Sequence, residues 1–527
     1  MSRPNLAPGD VLPLVRRLSG APDPLALYAA LTDHGRRPDS LLLESADAAT
    51  GQGEKSILLP VAMLRIEGRG RTVTLDALSL NGRALRDRIA ARLEDVATAS
   101  EEGERLILTF AATDASGHDE QARLRLRGPL DVLREAALAP RLISEPAALA
   151  HLAAGVFSYD LVDHFEALPA NASDTLGFPD FIFWVPEQVL ILDHVRRATT
   201  VMAHVVGGPD PEAAYHDAVR AVERLVREVE AAPRAGTTPP PPPRHGVDVD
   251  LDDAAYAAIV ERVKRHIVRG DVFQAVPSRT FSAPCDDPFT AYARLRAANP
   301  SPYMFYVRSP EATLFGASPE TAVRVSGTSR TVMLRPIAGT APRGRGPDGE
   351  YDVELDARLQ AALLTDSKEL AEHMMLVDLA RNDVARVSRP GTRRVSKLLT
   401  VDRYQHVMHL VSEVEGELAS GLDALHAYAA SLNMGTLVGA PKIRAAQLLR
   451  EMEPTRRGPY GGAVGYVTHT GEMDTAIIIR SALVTGGRAW IRAGAGVVLD
   501  SDPMREAEET RRKARAVLQA VTSGEAP

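Results

Sequence analysis

Two stretches of the sequence each carry a pair of glutamates three residues apart. Glu369 and Glu372 lie in SKELAEHMMLVDLARND, and Glu506 and Glu509 lie in SDPMREAEETRRKARAV. Residues three apart share one face of a helix, and carboxylate oxygens are ligands that suit Mg²⁺ together with an anionic substrate. Acids in a first helical turn also complement the helix dipole, and Glu509 with Lys513 makes an ordinary i,i+4 ion pair. The spacing alone therefore leaves a metal-binding role and a structural role open.

Two other patterns resemble known motifs but lack a necessary part. Gly494-Ala-Gly496 follows a predicted strand, as in a dinucleotide-binding loop, but Leu499 stands where the third glycine belongs. His406 and His409 could form a metal pair, but residues three apart in a strand point to opposite faces of the sheet. Neither a dinucleotide nor a histidine-bound metal is predicted.

The elements that position these residues are predicted from periodicity and capping signals. Helices are predicted over residues 211–230, 252–270, 366–387, 441–452 and 503–521. Strands are predicted over residues 41–44, 57–64, 72–78, 303–307, 322–325, 405–414, 476–483 and 489–493. The strands occur in hairpin-like pairs as well as between helices. This order favours a two-lobed α+β fold with large mixed or antiparallel sheets and flanking helices.

The composition is that of an ordinary water-soluble globular protein. The 527 residues include 61 Lys+Arg and 69 Asp+Glu, for a formal charge of −8, and 45% are apolar. This mild acidity argues against nucleic acid as a partner, because such proteins carry a basic surface. No signal pattern or membrane span is visible, so we expect no membrane association and a cytoplasmic location. The one cysteine, Cys285, is expected to be a reduced surface or loop residue.

A proline-rich segment divides the chain. Residues 233–250 contain five consecutive prolines, Pro239 to Pro243, which favour an extended backbone. The helical pattern before it ends, and a new one begins after it. The sequence therefore predicts an N-terminal lobe over residues 1–232, a linker over 233–250 and a second lobe over 251–527.

The second lobe resembles a known family through motifs that follow one another along residues 270–521. They are GDVFQAVPSR, NPSPYMFYV, FGASPE, RPIAGTAPRG, KELAEHMMLVDLARND, HVMHLVSEVEGEL, MGTLVGAPKIRA, RGPYGGAVGY, AIIIRSAL and AGAGVVLDSDP. Together they resemble the chorismate-utilising enzymes, and within them the anthranilate-forming members. The first lobe is similar to the family more sparsely, through LLLES and KSILL.

The resemblance implies a Mg²⁺-dependent lyase that adds ammonia to C2 of chorismate, releases the C4 hydroxyl and then expels pyruvate to leave anthranilate. It implies Mg²⁺ ligation by Glu369, Glu372, Glu506 and Glu509; catalysis by Glu320, His409, Gln274 and Thr340; and substrate binding by Gly339, Thr436, Tyr460, Arg480, Gly494 and Gly496. As the acid that protonates the leaving hydroxyl, Glu320 would need burial to raise its pKa well above the ordinary value of about 4.3.

Glu320 and His409 each have a structural alternative. Ser318 could cap a helix in which Glu320 only faces the dipole. His409 could be a hydrogen-bonded structural residue of a strand, and Arg480 lies on the predicted strand 476–483, on the opposite face from Ile477 and Ile479.

Two positions distinguish the members of the family. Relatives that add water at C2 carry a lysine base where this chain has Gln274, and a neutral amide cannot deprotonate water. Aminodeoxychorismate-forming relatives carry a nucleophilic lysine where this chain has Ala338. Direct attack of ammonia at C2 is the reaction that remains.

The resemblance also implies partners and regulation. Cys285 lacks the setting of an amidotransferase nucleophile, so we expect a separate glutamine amidotransferase subunit to supply ammonia within a shared assembly. A tryptophan effector site is implied at Glu44, Ser45, Lys55, Pro302, Tyr303, Met304 and Phe305. These residues could instead be packing between the lobes. The competing functions are aminodeoxychorismate synthesis and a non-catalytic, tryptophan-binding regulatory subunit.

Overall fold

The structure is a computed structural model. It describes residues 6–45, 54–111, 119–143, 149–171, 173–346, 349–404 and 407–524. Up to the proline-rich segment the strands are β1 (Val11–Ser19), β2 (Ser40–Glu44), β3 (Lys55–Arg69), β4 (Thr72–Ala77), β5 (Ala97–Glu102), β6 (Arg105–Phe110), β7 (Leu152–Phe157), β8 (Phe181–Asp193) and β9 (Ala198–Val206). The helices are α1 (Pro24–Leu31), α2 (Leu80–Arg92), α3 (Glu120–Leu124), α4 (Asp131–Leu133) and α5 (Pro211–Ala231), with a π-helical turn over Arg134–Leu138 and a 3₁₀-helix over Tyr159–His164.

After that segment the strands are β10 (Asp248–Val249), β11 (Gln274–Ala275), β12 (Ser278–Pro284), β13 (Tyr303–Arg308), β14 (Thr313–Ser318), β15 (Thr321–Val325), β16 (Thr331–Leu334), β17 (Ile337–Pro342), β18 (Arg394–Arg403), β19 (Val407–Glu417), β20 (Gly439–Ala440), β21 (Ala463–Thr468), β22 (Met473–Ile477), β23 (Ser481–Thr485) and β24 (Arg488–Gly494). The helices are α6 (Asp253–Val268), α7 (Pro288–Ala298), α8 (Val353–Thr365), α9 (Ser367–Val387), α10 (Ala424–Ser431), α11 (Gly435–Val438), α12 (Lys442–Met452) and α13 (Pro503–Val521).

The strands form one network that crosses the proline-rich segment. β2 pairs with β13, and β7 pairs with β21, both antiparallel. Apart from the two-stranded β11–β20 pair, every strand belongs to this network. The α+β class with large antiparallel sheets and flanking helices is confirmed. The division into lobes at residues 232 and 251 stays a prediction.

The predicted helices are confirmed, and aspartates cap those that border the site. The side chains of Asp252, Asp366 and Asp502 accept hydrogen bonds from first-turn N–H groups of α6, α9 and α13. Such caps satisfy donors that have no partner inside the helix. Capping fixes where α9 and α13 begin, and therefore which face carries each glutamate pair.

One local expectation is wrong, and another holds only for the loop position. The predicted strand 476–483 is broken into β22 and β23, with Arg480 between them in the left-handed region at φ 50°. Cys285 lies in the loop after β12 but is buried against apolar side chains, so it is not a surface residue. The predicted strand 405–414 corresponds to the start of β19, while Gln405 and His406 lie outside the described residues.

The proline-rich segment lies against the second half of the chain. Arg294 on α7 donates to the carbonyl oxygens of Pro240 and Pro241, at 2.6 and 3.2 Å. The segment has no helix or strand until β10. Within the described residues, no helix combines the length and the apolar character needed to cross a bilayer.

Candidate active site

A cavity of about 940 Å³ brings the predicted catalytic, substrate-binding and metal-binding residues together. Its walls come from α9, α13, the β14–β15 turn, β17, β19, α11 and the end of β24. It is lined by Gln274, Glu320, Gly339, Thr340, Glu369, Glu372, His409, Thr436, Tyr460, Arg480, Gly494, Gly496, Glu506 and Glu509. Residues more than 200 positions apart in the sequence therefore share one solvent space.

The four glutamates face this cavity from two helices, Glu369 and Glu372 from α9 and Glu506 and Glu509 from α13. Burial raises the pKa of Glu369, Glu372 and Glu506, and neighbouring carboxylates raise it further. Across the cavity, Glu509 acts on Glu369 and Glu506 acts on Glu372. The Lys368 ammonium, 3.9 Å from Glu372, opposes the shift of Glu372 more than either carboxylate adds to it.

These carboxylates fit Mg²⁺ by their chemistry. They offer oxygen donors alone, and a cation between the two helices would relieve their mutual repulsion. Within the described residues, no three acidic, histidine or cysteine side chains are close enough to hold a metal without movement. An open carboxylate set is what Mg²⁺ uses when waters and an anionic substrate complete its coordination.

Glu320 lies in the turn between β14 and β15 rather than at the start of a helix. Its backbone carbonyl accepts a hydrogen bond from the N–H of Ile477 at 3.0 Å, which holds the turn against β22. Burial raises the pKa of Glu320 to about 8, against smaller opposing effects of the Thr436 hydroxyl and the Lys513 ammonium. The side chain therefore carries a proton at neutral pH, which meets the condition for an acid.

His409 is held by β17. The pairing of β17 with β19 places it opposite Thr340, whose hydroxyl oxygen is 2.9 Å from Nδ1 of the imidazole. The carbonyl oxygen of Gly339 lies 3.3 Å from the same nitrogen. Burial lowers the pKa of His409, so the ring is neutral at neutral pH. With Nδ1 engaged, Nε2 is the nitrogen left to accept a proton.

Gln274 lies in the short strand β11, with its amide in the cavity. A Cβ at Gly496 would lie 2.5 Å from Nε2 of Gln274, so the glycine makes room for this amide. The Oε1 atom is buried and has no hydrogen-bond partner among the described residues. The arrangement therefore leaves this acceptor unsatisfied next to the cavity.

Arg480, Tyr460 and Gly494 form the part of the cavity suited to a carboxylate. Burial lowers the pKa of Arg480, and Glu509 opposes that shift. A Cβ at Gly494 would lie 3.1 Å from the Tyr460 hydroxyl oxygen and 2.7 Å from the Pro277 carbonyl oxygen. A side chain at position 494 would therefore collide with the backbone of the neighbouring segment, so only glycine fits there.

The sequence reasoning missed Lys513 as a site residue. Its Nζ lies 3.3 Å from Glu509 and donates to the Gly494 carbonyl oxygen at 3.1 Å. Burial lowers the pKa of Lys513. The signal was present in the spacing, because positions 506, 509 and 513 share one helix face, but the pair with Glu509 was interpreted as a surface ion pair.

The predicted effector residues are divided between two faces of the sheet. Glu44 on β2 lies opposite Met304 on β13. There the Glu44 carboxylate accepts a hydrogen bond from the Tyr292 hydroxyl at 2.5 Å and pairs with Arg296 at 2.9 Å. Burial raises the pKa of Glu44 against the effect of Arg296. Glu44 and Met304 thus pack against α7.

Tyr303 and Phe305 alternate with Met304 and occupy the other face, where both pack against a cluster of apolar side chains. The Tyr303 hydroxyl donates to Asp474 at 3.0 Å, and Asp474 lies opposite Tyr466 in the β21–β22 pair. Lys55 is 5.5 Å from the centroid of the Tyr466 ring. The remaining predicted residues lie nearby in the chain: Ser45 follows β2, and Pro302 precedes β13 and lines the catalytic cavity.

Comparison with known proteins identifies the family. The family model described as chorismate binding enzyme matches residues 91–519. The chain belongs to the chorismate-binding enzyme family. It is 48% identical to anthranilate synthase component 1 of Vibrio cholerae over 95% of this chain and 94% of that protein. It is 50% identical to the pyocyanine-specific anthranilate synthase component 1 of Pseudomonas aeruginosa, over 92% and 90%.

A solved member of this chorismate-binding family has the same fold. The crystal structure of anthranilate synthase component I from Streptococcus pneumoniae superposes with a TM-score of 0.68 at 30% identity, covering 88% of this chain and 92% of that one. The family match begins at residue 91, ahead of the proline-rich segment. This agrees with the strand pairing that joins the two halves of the chain.

Proposed function

We propose that this chain is an anthranilate synthase that converts chorismate and ammonia to anthranilate, pyruvate and water. The observation that carries the proposal is the single cavity in which a protonated, buried Glu320 faces two pairs of carboxylates, with Ala338 and Gln274 also in its wall. The family and its anthranilate synthase members agree with this activity.

The substrate is a dianion, and the cavity supplies cationic groups for it. Arg480 offers a planar fork suited to the enolpyruvyl carboxylate, and Lys513 lies beside the same strand end. Glu372 and Glu509, with Glu369 and Glu506 as further ligands or holders of water, would bind Mg²⁺. When bound, Mg²⁺ supplies the positive charge that neutralises the ring carboxylate.

Glu320 and His409 perform the two proton transfers. Glu320 donates its proton to the C4 oxygen as the carbon–oxygen bond breaks and ammonia adds at C2, and the ammonium so formed releases a proton that restores Glu320. Neutral His409 then accepts the C2 proton through Nε2 while the ring becomes aromatic, and the enolpyruvyl group leaves and takes up a proton at its methylene carbon to become pyruvate. The hydrogen bonds of Nδ1 with Gly339 and Thr340 orient the imidazole for this step.

Two residues of the cavity wall, Gln274 and Ala338, favour ammonia as the nucleophile over water or a lysine. Gln274 lies in the cavity wall, and a rotation of its side chain that exposes the unsatisfied Oε1 lets it accept a hydrogen bond from ammonia and direct the ammonia lone pair toward C2. Water at this position would need a base, which a neutral amide is not. Ala338 lines the cavity where aminodeoxychorismate-forming relatives present a nucleophilic lysine, so no covalent lysine route to C4 exists.

Ammonia comes from a separate glutamine amidotransferase subunit. Burial raises the pKa of Cys285 to about 12, with Asp286 and Asp287 adding to the effect, so this thiol is not a nucleophile. The relatives are named component 1, which implies a second component. The chain alone should use ammonium but not glutamine.

Tryptophan binds outside the cavity, on the sheet face that carries Tyr303, Phe305 and Lys55. The groups that this face carries for an indole and a zwitterion are the half-buried Tyr303 ring, the Lys55 ammonium, which lies 3.5 Å from Glu472, and the Asp474 carboxylate. Burial raises the pKa of Asp474, and Arg324 opposes the shift. Because β13 continues from residues that line the cavity, tryptophan there can alter the catalytic site.

Purified protein tests the activity directly. It is incubated with chorismate, Mg²⁺ and either ammonium or glutamine, and anthranilate fluorescence and pyruvate are followed. We expect both products with ammonium and neither with glutamine. An aminated product that keeps its enolpyruvyl group would instead support aminodeoxychorismate synthesis. Tryptophan binding without turnover would support a regulatory subunit.

A further inference from the structure

Three charged side chains lie buried beside the cavity and have no part in the mechanism above. Glu453, Arg457 and Arg492, here called the Glu453 cluster, are 7%, 3% and 8% exposed. The Glu453 carboxylate accepts from Arg457 at 2.6 and 2.8 Å and from Arg492 at 2.9 Å. A buried ion pair is weak evidence for stability, because desolvation offsets much of the attraction. The cluster therefore calls for a reason other than stability.

Its hydrogen bonds end on the backbone segments that carry the site. Arg457 donates to the carbonyl oxygen of Val276 at 2.7 Å and to that of Leu437 at 2.6 Å. Val276 is two residues after Gln274, and Leu437 directly follows Thr436. One guanidinium thus fixes the distance between the two segments.

The other half of the cluster holds the strand end at Gly494. Glu453 accepts from the backbone N–H of Ser278 at 2.9 Å, and Ser278 lies opposite Gly494 in the β12–β24 pair. Arg492, two residues before Gly494 on the same strand, donates to the Ser278 hydroxyl at 2.8 Å. The backbone near Gly494 is therefore tied to the same carboxylate as the segments of Gln274 and Thr436.

The cluster also carries excess positive charge. Burial opposes ionisation of Glu453, but the Arg457 and Arg492 guanidiniums outweigh it and hold the pKa of Glu453 below its ordinary value. Two guanidiniums against one carboxylate leave one net positive charge. Burial raises the pKa of Tyr460, and the same two arginines oppose that shift, so their field reaches the cavity wall. Arg492 itself lines the cavity.

We propose that Glu453, with Arg457 and Arg492, positions the backbone segments of Gln274, Thr436 and Gly494 and lends positive charge to the binding of the dianionic substrate. This inference rests on the proposed function for its kinetic consequences. Its structural consequence, the spacing of three segments, does not depend on that function. Glu453 is a positioning residue here, since it acts through the groups it holds.

The test compares Glu453→Gln with Asp39→Asn. Asp39 is a matched control, because it is buried and pairs with Arg65 at 2.9 Å but does not line the cavity. Both variants should lower the melting temperature. Only Glu453→Gln should lower kcat/KM for chorismate with ammonium by about tenfold or more, since a misplacement of about 1 Å can cost ~10²-fold. The loss should lie in kcat, and KM should not rise, because removal of the Glu453 carboxylate leaves more net positive charge beside the dianionic substrate. Backbone amide hydrogen exchange should accelerate in residues 274–278, 436–437 and 492–496 in this variant alone.

A Glu453→Gln protein with kcat/KM within twofold of the parent, or with unchanged exchange in those three segments, would overturn the inference. If it does not fold, Arg457→Lys answers the question, because it keeps the charge but loses the fork to Val276 and Leu437. It should lower kcat and speed exchange in residues 274–278 and 436–437, and unchanged values would count against the cluster. If the parent makes no anthranilate, the proposed function fails while hydrogen exchange still decides this inference.

Discussion

At the scale of single residues, the surroundings decide what a glutamate does. Glu320 and Glu369 have the same side chain, but Glu320 is buried beside the Thr436 hydroxyl, whereas Glu369 faces other carboxylates across open space. Burial that a neighbouring cation offsets only in part favours the neutral acid, and clustered carboxylates favour binding of a cation. In our proposal the same residue type therefore supplies a proton at one wall of the cavity and metal ligands at another.

Glu320→Gln should lower kcat/KM by about 10²- to 10⁴-fold, the usual contribution of a general acid. In the parent protein the reactive form is protonated, so kcat/KM should fall as pH rises through about 8, the pKa of Glu320. Anthranilate fluorescence with ammonium measures both effects, with the concentration of free ammonia held constant across the pH series. Glu311→Gln, an exposed change after β13, is the control. The two test values, pH 7 and 9, lie about one unit either side of that pKa. A kcat/KM that does not change between them would contradict the acid role.

At the scale of elements, a strand break places Arg480, the arginine that we propose to bind the substrate. The apolar run AIIIRSAL has the pattern of one strand, but the chain leaves β22 after Ile477 and enters β23 at Ser481. Arg480 between them has φ 50° and its carbonyl oxygen accepts from the N–H of Ala317 at 3.1 Å. The Arg480 side chain therefore points in a direction that a residue of a regular strand could not give it.

A comparison of Arg480→Gly with Arg480→Ala separates the effect of backbone strain on stability from the effect of the lost guanidinium on activity. Both should lose most chorismate turnover, because both remove the guanidinium. Arg480→Gly should be more stable than Arg480→Ala by about 1 kcal/mol, since left-handed backbone costs a residue with a Cβ about 1–2 kcal/mol. Urea unfolding measures the difference. The same pair of changes at Arg197, an exposed turn residue with φ 50°, should reproduce the stability difference with full activity.

The carboxylates on helices α9 and α13 lead to a prediction about Mg²⁺ binding. Glu509→Gln should abolish Mg²⁺-dependent turnover and the rise in melting temperature that Mg²⁺ gives the parent protein. Glu508→Gln, one position away and exposed, should change neither. Titration of melting temperature with Mg²⁺ reports on binding independently of catalysis. An unchanged Mg²⁺ response in Glu509→Gln would remove this residue from the metal site.

At the scale of the whole molecule, the sheet makes the two halves of the chain one structure. The β2–β13 and β7–β21 pairs place the first half of the chain against two strands of the second half. Tyr303 at the start of β13 donates a hydrogen bond to Asp474, and Pro302 directly before it lines the cavity. A ligand on that sheet face can therefore act on the catalytic site through one strand.

Lys55→Met should raise the tryptophan concentration that halves activity by about tenfold, the cost of losing one charged contact of roughly 1.4 kcal/mol. Basal turnover should stay within twofold, because Lys55 does not line the cavity. Inhibition curves for anthranilate formation measure both values. Arg17→Met, an exposed change on β1, is the control. Equal tryptophan sensitivity in the parent and Lys55→Met would exclude Lys55 from the effector site.

The sequence by itself determined the helices of the site and the chemistry they present. Capping aspartates and helical periodicity are local signals, so α9 and α13 and the faces of their glutamates could be predicted. The family motifs singled out Glu320, His409 and Arg480 as candidate site residues. They also singled out Gln274 and Ala338 as positions whose side chains favour ammonia as the nucleophile.

Only the tertiary structure decided what depends on distant neighbours. The pKa of Glu320, the cavity that joins α9 to α13, the break at Arg480 and the burial of Cys285 all arise from packing between segments far apart in the sequence. The sequence reasoning also placed Glu44 and Lys55 in one effector site. Successive residues of a strand point to opposite faces of the sheet, and these two side chains lie on different faces. Lys513 was misjudged for the same reason: helical spacing shows which residues share a face, but burial depends on what packs against that face.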